Sequence, residues 1–112
     1  MNCIIVDDEP IARRGMKRLV ETDGRLEVKA LLRSAEEAQE FLASNETDLI
    51  FLDIQMPGLT GIDFARTIGP DTLIIFTTAY SEYAADSYEV SAIDYLLKPI
   101  EPPRFSRAVS RP

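Results

Sequence analysis

Leu49-Ile-Phe-Leu-Asp53 carries the clearest indication of the fold, because four consecutive apolar residues end on a carboxylate. The run has the length of a strand, and its apolar residues do not alternate with polar ones. That pattern is typical of a strand covered on both faces, as in a parallel sheet between two layers of helices. Since such sheets bind ligands beyond the carboxyl ends of their strands, Asp53 is the first candidate functional residue.

Four further short apolar runs lie on either side of this segment. Glu27 and Lys29 interrupt the second run, which predicts a strand at the edge of the sheet. The third run is the most apolar, which predicts a central strand. The five predicted strands are Asn2–Val6, Leu26–Leu32, Leu49–Leu52, Leu73–Phe76 and Ile93–Leu97.

Segments with helical periodicity separate the strands. Pro10 suits the first turn of the first helix, and Gly24 suits its C-terminal end. Ser34 is placed to cap the second helix, and Glu37 three residues later completes a capping box. The remaining predicted helices are a short one with Phe64, Ala65 and Ile68 inward, a weak one from Ser81 to about Glu89, and a last one after Pro102-Pro103. Alternating strands and helices predict an α/β fold, a doubly wound five-stranded parallel sheet with helices on both faces.

The composition excludes several classes of function. The 112 residues correspond to about one domain. The absence of histidine excludes Ser-His-Asp and Cys-His catalysis, and the single cysteine, Cys3, excludes intrachain disulfides. A net charge of −7 makes the domain by itself a poor binder of nucleic acid. Because no apolar run is long enough for a signal peptide or a membrane span, we expect a cytoplasmic protein without membrane contact.

Polar side chains follow four of the predicted strands and form the candidate site. They are Asp7, Asp8 and Glu9 after the first strand, Asp53 after the third, Thr77 and Thr78 after the fourth, and Lys98 after the fifth. These groups converge at one edge of the sheet if the first and third strands are neighbours. Carboxylates packed together raise one another's pKa, and Mg²⁺, which prefers oxygen ligands, relieves their repulsion. An aspartate can also act as a nucleophile and form an aspartyl phosphate.

Each of these residues has a simpler interpretation when taken alone. Asp53 could be a turn residue, Thr78 a β-branched strand residue and Lys98 a solvated surface charge. The joint pattern favours phosphoryl transfer, because a metal, a lysine and a threonine hydroxyl together suit the three oxygens of a phosphoryl group.

Four motifs, in order along the chain, resemble the receiver domain of response regulators in two-component signalling. They are Val6-Asp-Asp-Glu-Pro10, Leu52-Asp-Ile-Gln-Met-Pro-Gly58, Thr77-Thr-Ala79 and Tyr95-Leu-Leu-Lys-Pro99. The resemblance covers essentially the whole chain and implies a flavodoxin-like (CheY-like) fold with strand order 2-1-3-4-5. It implies a signalling switch that receives a phosphoryl group from a sensor histidine kinase, and not an enzyme that turns over a substrate.

The resemblance also implies the phosphoacceptor and the metal ligands. Asp53 would accept the phosphoryl group. Asp8 and Asp53 would bind Mg²⁺ directly, Asp7 would lie near the ion or bind it through water, and Gln55 would contribute its backbone carbonyl.

The remaining motif residues are implied to contact the phosphoryl group and to transmit its presence. Thr78 and Lys98 would contact the phosphoryl oxygens. Tyr95 would be the aromatic switch residue that moves inward when Thr78 shifts. The Lys98–Pro99 peptide bond would be cis.

Residues 77–90 and 92–100 resemble, more specifically, the LytTR subclass of response regulators. Its members usually continue into a DNA-binding domain that controls transcription, and residues 1–112 contain only the receiver domain, so DNA would be bound through an absent effector domain. A homodimer is expected through the face formed by the predicted helix at 81–89, the fifth strand and the last helix.

Other functions stay open on the residues alone. A haloacid-dehalogenase-like phosphatase also uses an Asp nucleophile and Mg²⁺, although Gln55 stands where its second Asp would be. A receiver-like interaction module that is never phosphorylated would keep the fold without the chemistry. A flavin-binding module is disfavoured, because the acidic residues at 7–9 would repel a phosphate after the first strand.

Overall fold

A computed structural model gives the structure of the chain and describes residues 1–80, 90 and 92–111. The helix predicted from Ser81 to about Glu89 lies outside the described residues. The elements are β1 (Asn2–Val6), α1 (Pro10–Asp23), β2 (Glu27–Leu32), α2 (Ala35–Ser44), β3 (Leu49–Asp53), α3 (Gly61–Ala65), β4 (Leu73–Thr78), β5 (Asp94–Leu97) and α4 (Pro102–Val109).

The five strands form one parallel sheet in the order β2-β1-β3-β4-β5, which confirms the predicted fold. The most apolar strand, β3, is central, and β2 lies at an edge as its interrupted pattern predicts. β1 pairs with β3 from Cys3 opposite Leu49 to Val6 opposite Leu52. Because β1 and β3 are neighbours in register, the residues that follow them emerge side by side.

The sheet is covered on both faces by apolar clusters, and alternate residues of each strand belong to different clusters. In β3, Ile50 and Leu52 pack on the face that carries α2 and α3. Leu49 and Phe51 pack on the other face, together with side chains of α1 and α4. There, the rings of Phe51 and Phe105 stack with centroids 5.5 Å apart. The consecutive apolar residues of β3 therefore reflect burial on both sides, as the sequence indicates.

The helix ends follow local sequence signals, with two differences from prediction. Gly24 ends α1 in the left-handed region at φ 83°, and the Ser34 Oγ accepts a hydrogen bond from the Glu37 N–H at 3.1 Å. The Glu37 carboxylate, however, accepts from the N–H of Arg33 at 2.9 Å, one residue before the cap, where a capping box would use the Ser34 N–H. α3 ends at Ala65, so Ile68 packs against the core from a turn beyond the helix. Within the described part of the chain, every helix is too short or too polar to cross a bilayer.

Candidate functional site

The predicted site residues lie together at the carboxyl ends of the central strands. Asp7 directly follows β1, and Lys98 directly follows β5. Asp53 and Thr78 are the last residues of β3 and β4, so the sheet itself extends one or two residues further than predicted. Asp53 pairs with Thr77 of β4. The parallel topology therefore places the backbones of these four residues at one rim of the sheet.

Three carboxylates form an acid cluster at this rim, which we define as Asp7, Asp8 and Asp53. One carboxylate oxygen from each residue lies within 4.8 Å of the other two. Asp7 and Asp53 are buried, with Asp53 only 3% exposed, and Asp8 is more accessible. Among the residues that the structure describes, this is the only such group of three or more potential metal ligands. The prediction that the carboxylates following the first and third strands lie close together is confirmed.

The Lys98 ammonium reaches into the acid cluster. Its Nζ lies 2.8 Å from Asp7 Oδ2, 3.7 Å from Asp53 Oδ1 and 4.0 Å from Glu9 Oε1. The Lys98–Pro99 bond is cis, as the resemblance implies, and the Lys98 N–H donates to the Thr78 carbonyl at 2.7 Å. Burial lowers the pKa of Lys98, but the hydrogen bond to Asp7 and the nearby carboxylate charges outweigh it and raise that pKa overall. The lysine is therefore held as a cation.

Asp53 carries the strongest electrostatic signature in the site. Burial, followed by the negative charge of Asp7, raises its pKa to about 7. The Lys98 charge and a hydrogen bond from the Gln55 N–H, 3.2 Å from Asp53 Oδ1, act in the opposite direction, while a hydrogen bond with Asp8 adds to the increase. This is the mutual repulsion that the sequence predicts for clustered carboxylates.

The acid cluster fits Mg²⁺ by its donor set and by its charge. All three side chains offer oxygen ligands, which hard divalent cations prefer. A single ammonium faces three carboxylates, and the raised pKa of Asp53 shows that this ammonium does not fully compensate the burial and repulsion. A divalent cation would supply the missing positive charge. Just beyond β3, the Gln55 N–H donates a hydrogen bond to Asp53 Oδ1. The role of the Gln55 carbonyl as a metal ligand stays a prediction.

Thr78 and Tyr95, which the resemblance implies to be a switch pair, lie on the adjacent strands β4 and β5. Thr78 is fully buried at the end of β4, and its Oγ1 accepts a hydrogen bond from the Tyr80 N–H at 3.1 Å. Tyr95 is half-buried in β5, opposite Phe76. The coupling of these two residues to each other and to the acid cluster stays a prediction.

Comparison with known proteins agrees with this geometry. Residues 3–110 match the family model described as the response regulator receiver domain. The chain belongs to the response regulator receiver family. It is therefore a receiver domain of a response regulator, a class of protein that acts in two-component signalling.

Three relatives show how far the likeness extends. The receiver domain is 33% identical to the response regulatory domain of protein mrkE from Klebsiella pneumoniae, with a TM-score of 0.90 over 98% of this chain and 93% of that one. It is 32% identical to response regulator protein TrrA from Thermotoga maritima, solved in complex with Mg²⁺-BeF, with a TM-score of 0.85 over 97% of this chain and 96% of that one. It is 38% identical over 110 residues to transcriptional regulatory protein BtsR from Salmonella typhi, covering 96% of this chain and 46% of that protein. The chain spans about half the length of the curated relatives it matches.

Several residues of the receiver domain that shape the site were missed by the sequence analysis. Arg13 Nη1 donates to the Asp7 carbonyl at 2.7 Å and fixes the turn after β1. Gly61 packs directly on the Asp53 backbone, where even a Cβ atom would lie 2.1 Å from the carbonyl oxygen. Asp94, a buried carboxylate in β5, pairs with Arg104. The signal for Asp94 was available, since a charged residue interrupts the apolar run Ile93–Leu97, whereas the contacts of Arg13 and Gly61 depend on tertiary structure.

Proposed function

We propose that this receiver domain is a phosphorylation-activated switch in which Asp53 accepts a phosphoryl group from the phosphohistidine of a sensor histidine kinase. One observation carries the proposal. The Asp53 carboxylate ends the central strand beside Asp7 and Asp8, with the Lys98 ammonium 3.7 Å away. A nucleophile, positive charge and a metal-binding donor set therefore meet at one point.

The chemical step needs little from the protein beyond position and charge. A carboxylate oxygen of Asp53 attacks the phosphorus atom, and a P–O bond forms as the P–N bond to the imidazole breaks. The electron pair of that bond stays on the imidazole nitrogen, which takes up a proton from solvent. Lys98, already held between Asp7 and Asp53, stabilises negative charge on a phosphoryl oxygen, and the Thr78 hydroxyl donates to another.

The acid cluster would hold Mg²⁺, with the Gln55 backbone carbonyl as a further ligand. When bound, the ion supplies positive charge to the clustered carboxylates and to the phosphoryl oxygens. The all-oxygen donor set of Asp7, Asp8 and Asp53 supports this assignment, as does the Mg²⁺-BeF complex named for the Thermotoga relative.

Phosphorylation would act on the rest of the domain through Thr78 and Tyr95. In the present structure the Thr78 hydroxyl oxygen accepts from the Tyr80 N–H. Drawing that hydroxyl toward a phosphoryl oxygen would open space beside β5, and the half-buried Tyr95 would move inward to fill it. The surface that changes would be the face of β5 and α4, through which we also propose homodimerisation; the helix predicted at 81–89, which the resemblance assigns to the same face, lies outside the described residues.

The output of the switch is proposed to be transcription, through a LytTR-type DNA-binding domain. The Salmonella relative is named a transcriptional regulatory protein and is about twice as long as this chain. The receiver domain itself, with a net charge of −7, is not expected to bind nucleic acid.

Intact-mass measurement tests the proposal. Incubation with acetyl phosphate and Mg²⁺ should add about 80 Da, one phosphoryl group, to the wild type and to Asp71→Asn but not to Asp53→Asn. Asp71 is an exposed aspartate ahead of β4, at the opposite end of that strand, and serves as the matched control. Equal labelling of Asp53→Asn would refute the assignment, and no labelling of any form would favour an interaction module. Steady turnover of a phosphomonoester would instead support a phosphatase.

A further inference from the structure

Asp94 and Arg104 form a second buried ion pair, away from the acid cluster, which we call the β5 clamp. Asp94 is only 5% exposed. Arg104 binds it with both ends of its guanidinium, Nη1 to Oδ2 at 2.9 Å and Nη2 to Oδ1 at 2.7 Å. Arg111 adds a third contact, Nε to Oδ2 at 2.9 Å. Burial acts to raise the pKa of Asp94, but these contacts outweigh it and lower the pKa overall, so the carboxylate is charged.

The β5 clamp also holds the peptide backbone of Tyr95. The Tyr95 N–H donates to Asp94 Oδ1 at 2.8 Å, and the Tyr95 carbonyl accepts from Arg104 Nη2 at 2.8 Å. In the described part of the chain β5 is an edge strand, paired with β4 alone. Peptide groups on the open side of an edge strand have no neighbouring strand to bond. The clamp therefore supplies a side-chain partner to both backbone groups of one edge residue.

The position of Lys98 depends on this short strand. β5 has four residues, and Lys98 follows directly, three residues after Tyr95. Its backbone is joined to β4 by the hydrogen bond from the Lys98 N–H to Thr78. An ammonium 2.8 Å from Asp7 and 3.7 Å from Asp53 tolerates little movement of the strand that carries it. Loosening β5 at Tyr95 would change those distances.

We propose that Arg104 is a positioning residue, which acts through Asp94 and the Tyr95 carbonyl to set the place of Lys98 in the acid cluster. The inference extends the proposed function, because Lys98 is there the group that stabilises the phosphoryl charge. The contacts of Arg104 described above are to Asp94 and to the Tyr95 carbonyl, not to Asp53 or Lys98. It links α4, from which it projects, to the geometry of the site.

A simpler role for Arg104 would be to anchor α4, and a matched control separates the two roles. Arg25 also anchors α4, by hydrogen bonds to the Ser106 carbonyl at 3.2 Å, to Ser106 Oγ at 3.0 Å and to Ser110 Oγ at 2.8 Å. Arg104 thus joins α4 to β5, whereas these hydrogen bonds of Arg25 join α4 to the segment that precedes β2. Arg25→Gln therefore tests helix anchoring without disturbing Tyr95.

The test is site-resolved acylation of the three lysines by dilute acetic anhydride, quantified by peptide mass spectrometry. Arg104→Gln should increase the labelling of Lys98 several-fold relative to Lys17 and Lys29, because the ammonium loses its carboxylate partners. Arg25→Gln should leave the ratio unchanged. An unchanged ratio in Arg104→Gln, or an equal increase in Arg25→Gln, would overturn the proposal. The readout needs no phosphorylation, so it stays informative if Asp53 proves not to be the phosphoacceptor.

Two further measurements complete the test. With saturating Mg²⁺, Arg104→Gln should lower the maximal rate of phosphorylation by acetyl phosphate several-fold while changing the half-saturating donor concentration little. Arg104→Lys, which keeps the charge, should give values between those of the wild type and Arg104→Gln. If Arg104→Gln does not fold, Arg104→Lys and Asp94→Asn take its place, and wild-type labelling in both would refute the positioning role.

Discussion

Gly61→Ala tests whether the loop after β3 is held in direct contact with the backbone of the site. Gly61 begins α3, and its N–H donates to the Ile54 carbonyl at 3.0 Å. An added Cβ would lie 2.1 Å from the Asp53 carbonyl oxygen and 2.9 Å from the Ile54 Cα. Ordinary contacts of a Cβ begin at 3.4 Å, so the atoms must separate by about 1.3 Å. Because the opposing atoms are backbone, no side-chain rotation relieves the overlap.

The expected cost follows from this geometry. Overpacking a close-packed site costs about 1–3 kcal/mol, and we expect at least about 3 kcal/mol here because Asp53 and Ile54 continue the central strand. The backbone of Gly61 does not lie in the left-handed region, so the loss would be steric and not conformational. Gly15→Ala is the matched control, since a Cβ there meets nothing within 4 Å in the middle of α1. That substitution should stabilise the domain by about 0.5–1 kcal/mol through helix propensity.

Urea unfolding followed by circular dichroism measures both variants. The midpoint should fall for Gly61→Ala and rise for Gly15→Ala with similar slopes. Acetyl phosphate labelling of Gly61→Ala, at a temperature where it is folded, should also be slower than that of the wild type, because the overlap displaces Asp53, the proposed phosphoacceptor. A Gly61→Ala variant with wild-type stability and labelling would show that the loop does not approach β3 as described.

Three further predictions concern separate features. Burial and the charge of Asp7 raise the pKa of Asp53 to about 7, so the free energy of unfolding of the metal-free domain should fall as pH rises from about 4 to 7. At pH 8 Asp53→Asn should be more stable than the wild type by about 2–4 kcal/mol. Urea titrations with chelator at pH 5 and 8 check this, and adding Mg²⁺ should reduce the difference in stability between the two proteins. Ser34→Ala should cost about 1 kcal/mol by removing the acceptor of the Glu37 N–H, whereas Ser34→Thr should cost less, as thermal melts would show. Cys3 is buried with its pKa raised to about 12, mainly by burial, so Ellman's reagent at pH 8 should react at the rate of unfolding, and fast labelling of the native domain would contradict its place in the core.

The sequence was sufficient for those parts of the structure that depend on chain order and burial. The uninterrupted apolar run before Asp53 predicted a central strand, and the rule that ligands bind beyond the carboxyl ends of parallel strands predicted the meeting of Asp7, Asp53 and Lys98. The strand order and the cis bond at Pro99 came only from the family resemblance, since neither follows from residue patterns.

The contacts that the sequence did not reveal join residues of different helices, strands and loops. The Asp94–Arg104 pair joins a strand to a helix ten residues later, and no local pattern specifies which arginine reaches the carboxylate. The close approach of Gly61 to Asp53 is likewise visible only once the loop is folded. At the start of α2, the hydrogen bond from the Glu37 N–H to the Ser34 hydroxyl was predicted correctly. The Glu37 carboxylate, however, binds Arg33, which offers both a backbone N–H and a guanidinium.

Arg104 and Phe105 are consecutive residues of α4, yet they contact different strands. Arg104 bonds to β5, and the Phe105 ring stacks on Phe51, two residues before Asp53 in β3. If Asp53 is phosphorylated as proposed, any protein that bound α4 more tightly in one arrangement of those strands would change the stability of the acyl phosphate. Thermodynamic reciprocity then requires that phosphorylation change the affinity for that protein by the same factor. One turn of α4 would therefore be sufficient to couple binding at the outer surface of this helix to phosphorylation of Asp53.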